Sequence, residues 1–256
     1  MPELPEVEVV KRSLKKKIQN LIIKKVKIND GNLRYKVNKV EMSKLIGKRV
    51  KKISRRSKFL IFEFDQAKLM LVHLGMTGKF FFVNQNKKKF KTSFYYDLDL
   101  KKDFKHDRVI FIFKNNQKLI YNDMRKFGFI KLLHSKKYSK NLHIKNLGPE
   151  PLNKNFNTTY LKKYVSGRNR KIKNILMDQK CVSGLGNIYV NEILFLSGIS
   201  PFRKVAKLKD FEINKIIKST KNILKKSIKL GGSSIKDFSS GDGKKGKYQF
   251  FFSRLW

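Results

Sequence analysis

The chain has 256 residues, 40% of them hydrophobic, with 61 Lys+Arg against 19 Asp+Glu for a net charge of +42. That length supports a sizeable core and two modest domains, and no apolar run reaches signal or transmembrane length, so a soluble, cytoplasmic protein is expected. The single cysteine, Cys181, excludes an intrachain disulfide and a cysteine-clustered metal site.

The basic excess extends over both halves of the chain and calls for a polyanionic partner. A compositional bias toward Lys, Ile, Asn and Phe accounts for part of it, but such a bias would raise glutamate as well, and acids are scarce. An RNA-binding or ribosome-associated protein would carry the same balance, so charge alone does not choose between nucleic acids.

The opening Met1-Pro2-Glu3-Leu4-Pro5-Glu6-Val7-Glu8 is the first informative stretch. An initiator methionine is normally removed when a small residue follows, so the mature chain is expected to begin at Pro2. Its secondary amine would have a pKa near the terminal value of about 8, far below that of lysine. Such an amine can attack an electrophilic carbon and hold it as an iminium. The same residues also read as a proline-punctuated helix start whose acids suit the positive end of the helix. Both readings stand at this point.

From residue 5 to 18, Val7, Val10, Leu14 and Ile18 recur at spacings of three and four, predicting an amphipathic helix with Lys11, Arg12 and Lys15 to Lys17 on its wet side. Between Leu21 and Phe129 the pattern changes to short runs rich in Val, Ile and Phe: LIIKKVKI, RVKKI, FLIFEF, KLMLVHL, GKFFFV, RVIFIF, KLIY and FGFIKLL. Gly, Asn, Asp and Lys clusters separate them, which predicts a β-sandwich or barrel. Residues 134–157 lose periodicity around Gly148-Pro149-Glu150-Pro151 and read as a linker.

Helical patterns then resume over 158–165 and 170–179, the second with Ile172, Ile175, Leu176 and Met177 inward. A further stripe of Ile213, Ile217, Leu224 and Ile228 is opposed by Lys218, Lys221, Lys225 and Lys229. The turn Gly184-Leu185-Gly186 leads to Asn187, a good N-cap, and an apolar run. A helix start of this kind offers amide hydrogens to a phosphate.

The segments PELPEVE, SRRSKFLIF with Lys58, HLGMTGKF, NDMRKFG, LGPEPL, ILMDQKCVSGLGNIYVNEILFLSGISP and GGSSIKDF run in order over nearly the whole chain. Together they closely resemble the bacterial formamidopyrimidine-DNA glycosylases. Leu4 matches that family rather than its endonuclease VIII relatives, which usually carry glycine there. The resemblance implies an α+β protein of two domains: a catalytic β-sandwich with an N-terminal helix over 1–133, the linker over 134–157, and a helix-two-turn-helix DNA-binding domain over 158–238. A lesion-recognition loop and a divergent tail would occupy 239–256.

The activity implied is base-excision repair: removal of oxidised purines such as 8-oxoguanine and formamidopyrimidines from double-stranded DNA, followed by β,δ-elimination at the abasic site. The enzyme is expected as a monomer associated with the bacterial nucleoid. By resemblance Pro2 is the nucleophile, Glu3 the general acid, Glu6 an orienting residue and Lys58 the partner of a lesion-flanking phosphate. Once the damaged base leaves the stack, Met76 would fill the gap while Arg125 and Phe127 hold the orphaned partner, with His73 and Lys126 beside them. Gly186 and Asn187 would grip phosphate, and the stretch Ser239 to Tyr248 would close over the everted base.

The chain departs from the family pattern after Gly246. Members usually continue into a zinc finger with four cysteines, and this sequence has KYQFFFSRLW and no zinc ligand set, so no metal is expected. Arg254 is the residue type that could stand in for the finger arginine. The competing expectation is a catalytically weak DNA-binding remnant of the same family.

Overall fold

The computed structural model describes residues 1–84, 89–91, 103–233 and 248. The expected lesion-recognition loop before Tyr248, and the tail with Arg254, lie outside the described residues. The N-terminal pattern forms helix α1 (Leu4–Ile18), with Val7, Val10, Leu14 and Ile18 all buried. In this helix the three-and-four spacing turns one apolar stripe inward.

Two antiparallel sheets follow. One takes the order β1 (Ile23–Ile28), β7 (Asp107–Phe113), β8 (Lys118–Asn122), β5 (Lys79–Val83) and β6 (Lys89–Lys91). The other is β2 (Val50–Arg56), β3 (Phe59–Phe64), β4 (Lys68–His73) and β9 (Phe129–His134). Alternation decides what faces the space between them. Leu60, Phe62 and Phe64 of β3 and Val109, Phe111 and Phe113 of β7 enter one core with the inner face of α1. Phe80 lies edge-on to Tyr121 at 5.3 Å, a favoured aromatic geometry.

The residues between those core positions do not all face water. Ile61, Leu69, Leu71 and Phe129 form a second cluster on the outer face of the four-stranded sheet, completed by Ile144, Tyr138 and Leu147. Residues 134–157, read from sequence as a linker, therefore cover a sheet face through several apolar side chains. A short helix α2 (Lys39–Ser43) and strand β6 carry too little periodic signal to have been legible. Only Met42 of α2 is buried.

The C-terminal half is helical: α3 (Thr158–Val165), α4 (Ile172–Met177), α5 (Asn187–Leu196) and α6 (Asp210–Lys229). Helix α6 buries Ile213, Ile217, Leu224 and Ile228 as its stripe requires and packs on α1, α3 and α5. Ile172, Ile175 and Leu176 point inward, but Met177 does not: at the last position of α4 it is 38% exposed. A six-residue helix has too few turns to bury its terminal residue on the same stripe. Among the described residues no helix is long and apolar enough to cross a membrane.

Truncation of Leu14, fully buried where α1 meets the sheets, is expected to cost roughly 2–5 kcal/mol. Urea unfolding of Leu14→Ala should show this as a lowered midpoint with an unchanged slope.

Candidate active site

The N-terminus is drawn into the body of the protein by hydrogen bonds that begin at residue 3. Leu4 N donates to Gly184 O at 3.0 Å, and Pro2 and Glu3 are buried. One Glu3 carboxylate oxygen accepts from Gly186 N at 2.6 Å, the other from Ile188 N at 3.0 Å. Glu3 thus occupies the amides at the start of α5, which the sequence reading offered to a phosphate. Asn187 is not the N-cap. Gly186 takes that place in an extended conformation, and Asn187 is the first helical residue with an exposed side chain. The reason is steric, because a Cβ on residue 186 would lie 2.4 Å from the Glu3 carboxylate oxygen, and the closest position must be glycine.

Glu3 is held under opposing influences. Burial pushes its carboxyl up to about 7, while Lys58 and the two amides pull it down. Glu6 fixes the backbone beneath it: Glu3 N donates to one Glu6 oxygen at 2.9 Å. The other oxygen accepts from Tyr189 Oη at 2.6 Å, Ser233 N at 2.9 Å and Ser233 Oγ at 3.0 Å. Glu6 therefore joins α1, α5 and the chain after α6 at one buried point.

Lys58 stands on the turn between β2 and β3, where Ser57 has φ +55. Ser57 N donates to Glu150 at 2.6 Å and Ser57 O accepts from Arg55 at 2.8 Å. Arg55 bridges Glu8 and Glu150, and Arg56 reaches Glu150, Ser183 Oγ and the carbonyls of Leu147 and Gly148. With its turn so tied, the Lys58 ammonium is buried, and desolvation lowers its pKa while Glu3 and Glu6 oppose that.

These groups open onto a cavity of about 750 Å³ whose wall includes Met1, Glu3, Lys58, His73, Gly186 and Asn187. His73 accepts from Gly75 N on Nδ1 at 3.1 Å, and burial pushes its pKa down to about 4. At neutral pH it is an uncharged imidazole with its proton on Nε2, a hydrogen-bond donor. Arg34, His143, Met177 and Gln179 also line this cavity. Sequence reading assigned none of the four to the site: Arg34 is hidden among many basic residues, His143 lies in no motif, and Met177 and Gln179 lie in the ILMDQKC segment but were given no role there.

A second recess of about 700 Å³ shares Met1, Arg34 and His73 and is otherwise lined by Met76, Arg125, Lys126 and Phe127, among others. Met76 is 40% and Phe127 48% exposed, and the Arg125 guanidinium lies 4.6 Å from the Phe127 ring centre. Large apolar side chains left in water beside a cavity mark an interaction surface. Lys126 is placed differently. Its Nζ pairs with Asp30 at 2.9 Å, as Arg108 does at 2.7 Å, so it helps to brace the loop.

The Formamidopyrimidine-DNA glycosylase N-terminal domain family matches residues 1–130, and the Formamidopyrimidine-DNA glycosylase H2TH domain family matches residues 147–239. A formamidopyrimidine-DNA glycosylase of Rickettsia bellii (strain OSU 85-389) is 40% identical over 248 residues, 97% of this chain and 85% of that protein. The chain belongs to the formamidopyrimidine-DNA glycosylase family. Another relative of that name, from Roseobacter denitrificans, is 36% identical over 98% of this chain and 87% of its own length. Among solved structures, a mutant of the Lactococcus lactis FPG protein in complex with a Fapy-dG containing DNA superposes with a TM-score of 0.84. It is 34% identical, with 98% of this chain and 87% of that one covered. The Lactococcus lactis Fpg with an abasic site containing DNA gives a TM-score of 0.82 at 34% identity, over 98% and 86% of the two chains.

As a formamidopyrimidine-DNA glycosylase the protein is a DNA-repair enzyme, a glycosylase and AP lyase. The four-cysteine zinc site that accompanies this family does not fit the residues present. Cys181 is the only cysteine of the sequence, it is buried, and burial pushes its thiol up to about 12. A Gly186→Ala change should force the Glu3 carboxylate off α5. Because displacements of about 1 Å can cost about 100-fold in rate, glycosylase activity is expected to fall by that order while the circular dichroism spectrum stays unchanged.

Proposed function

We propose that this glycosylase removes oxidised purines from duplex DNA and cuts the strand on both sides of the lesion, with Pro2 as nucleophile once Met1 has been removed. The observation that carries the reading is the placement of Pro2 and Glu3. Both are buried, and Glu3 lies in the wall of a cavity that Lys58 also lines, with the Glu3 carboxyl held at about 7.

Glu3 donates its proton to the deoxyribose ring oxygen as the C1′–O4′ bond opens. The Pro2 nitrogen lone pair forms the bond to C1′, the base departs with the glycosidic electron pair and takes up the proton that the nitrogen sheds, and opening of the C1′–O4′ bond leaves the sugar as an iminium. Loss of a C2′ proton then expels the 3′ phosphate, a second elimination expels the 5′ phosphate, and water releases Pro2. With Met1 in place, burial lowers the Met1 amine below its ordinary value, and the same influence on a Pro2 amine would raise its unprotonated, nucleophilic fraction near neutral pH. Lys58, His73 and Asn187 line the same cavity and supply donors for the phosphates flanking the everted nucleotide.

Met76, Arg125 and Phe127 have the chemistry of a wedge. Methionine adapts to an irregular gap, phenylalanine unstacks a base step, and arginine hydrogen-bonds the orphaned base. The protein is proposed to act as a monomer, the sandwich and the helix-two-turn-helix part meeting the duplex together, and a net charge of +42 suits that partner.

Borohydride trapping on a duplex bearing 8-oxoguanine opposite cytosine should give a covalent adduct that Pro2→Gly diminishes. Absence of an adduct with protein correctly processed at Met1 would overturn the reading and leave a DNA-binding remnant. Single-turnover base release should also fall as pH rises through about 7, where Glu3 loses its proton. It should fall again on the acid side, where the terminal amine becomes protonated.

A further inference from the structure

The exposed Met76 and Phe127 lie on different segments, yet the fold runs those segments side by side. Residues 74–78 cross from β4 in the four-stranded sheet to β5 in the five-stranded sheet, and residues 123–128 cross back from β8 to β9. The crossings begin and end at paired residues, with His73 opposite Phe129 and Lys79 opposite Asn122. Their backbones are in contact. A Cβ on Gly75 would lie 2.5 Å from Gly128 N and from Phe127 C.

One carboxylate fastens the two crossings. Asp123 is fully buried and Thr77 nearly so. Thr77 Oγ1 donates to Asp123 Oδ1, and the same hydroxyl accepts from Arg125 N at 3.0 Å. Asp123 Oδ2 accepts from Gly128 N at 2.9 Å and lies 3.4 Å from Tyr121 Oη. Arg108 adds a bond from Nε to Asp123 O at 2.9 Å. The Thr77 hydroxyl is therefore the junction between the Met76 segment and the Arg125 segment, and neither Thr77 nor Asp123 is among the residues lining the recess where DNA would enter.

We propose that Thr77 and Asp123 are positioning residues that lock the Met76 loop to the Arg125–Phe127 loop, so that the two apolar side chains enter a duplex as one preformed wedge. This rests on the reading of those side chains as the base-gap wedge. Two loops that had to be ordered separately at the moment of insertion would each lose conformational freedom against the gain of stacking. Two loops joined in the free protein have already lost it. The lock therefore acts on base eversion and leaves proton transfer at Glu3 and bond formation at Pro2 untouched.

The test compares Thr77→Val with Thr77→Ser on two substrates: an 8-oxoguanine:cytosine duplex with 2-aminopurine beside the lesion, and a single-stranded abasic oligonucleotide that requires no eversion. Borohydride trapping on the single strand counts competent enzyme in each preparation, so that partial misfolding of Thr77→Val is corrected. A lost buried hydrogen bond of about 1 kcal/mol corresponds to about fivefold in rate. Thr77→Val should accordingly slow the 2-aminopurine fluorescence rise and duplex excision by at least that factor. Its rate per trapped enzyme on the single strand should be unchanged, and Thr77→Ser should restore the duplex rates. Equal duplex rates for Thr77→Val and unsubstituted enzyme, an equal loss on both substrates, or no restoration by serine would each overturn the proposal. The adduct formed by unsubstituted enzyme on the single strand reports the proline reading separately.

Discussion

Everything at the site depends on the Glu3 carboxylate being held in the dry start of α5. Full burial favours the neutral acid, Lys58 and then the two amides at 2.6 and 3.0 Å favour the anion, and the balance leaves the carboxyl at about 7. Neither influence alone would serve. An exposed glutamate beside the same helix would stay ionised and have no proton to give, and a buried one without the amides would hold its proton too tightly and lack a fixed direction. The interaction also joins the start of α1, which belongs to the sandwich, to a helix of the C-terminal half, so the placement of this carboxyl and the packing of the two halves are the same fact.

Other buried and half-buried polar contacts reinforce that seam. Glu6 ties α1 to Tyr189 on α5 and to Ser233 beyond α6. Glu150, in the segment that covers the outer sheet face, receives Arg55, Arg56 and the amide of Ser57. The turn bearing Lys58 is thereby referenced to the helical half instead of floating on its hairpin. Buried ion pairs are a poor source of net stability because desolvation offsets much of their attraction. Their worth here is directional, since removing either partner would strand a charge, and the low-energy arrangement is the one that keeps Lys58 facing Glu3 across the cavity.

Much of this was legible in the chain. The stripe of α1, eight of the nine strands among the described residues and the stripe of α6 follow from apolar spacing alone, because each element buries one face and the period records which. Motif resemblance singled out Pro2, Glu3, Lys58, Met76, Arg125 and Phe127, and all of these but Pro2 line one or other of two adjoining recesses. What spacing could not supply was partner choice. Asn187 looks like a cap because asparagine commonly caps, but the Glu3 carboxylate, arriving from 183 residues away, required glycine at that place. Lys126 sits in NDMRKFG and lines the second recess, and its pairing with Asp30, on a loop after β1, is invisible in that motif. Long-range pairing of this kind leaves no local signature, and the cover of residues 134–157 over the outer sheet face was hidden for the same reason.

The scarcity of acids takes on a physical sense once their positions are known. Glu3, Glu6, Glu8, Asp107, Asp123, Glu192 and Glu212 are buried, Asp30 serves Arg108 and Lys126, and Glu150 serves two arginines. Part of the negative charge is thus held in internal fastenings, while Glu41, Asp65 and Asp210 pair with lysines at the surface, and the remaining lysines dominate the outside. A surface so one-signed repels itself and costs stability, which the protein tolerates because its phosphate-bearing partner relieves that repulsion on contact. Each phosphate neutralised releases counterions, giving a salt exponent of about 0.9 per contact. Affinity then comes from a diffuse cationic exterior that needs no exact geometry, while the few acids, fixed by hydrogen bonds, set the geometry the chemistry needs.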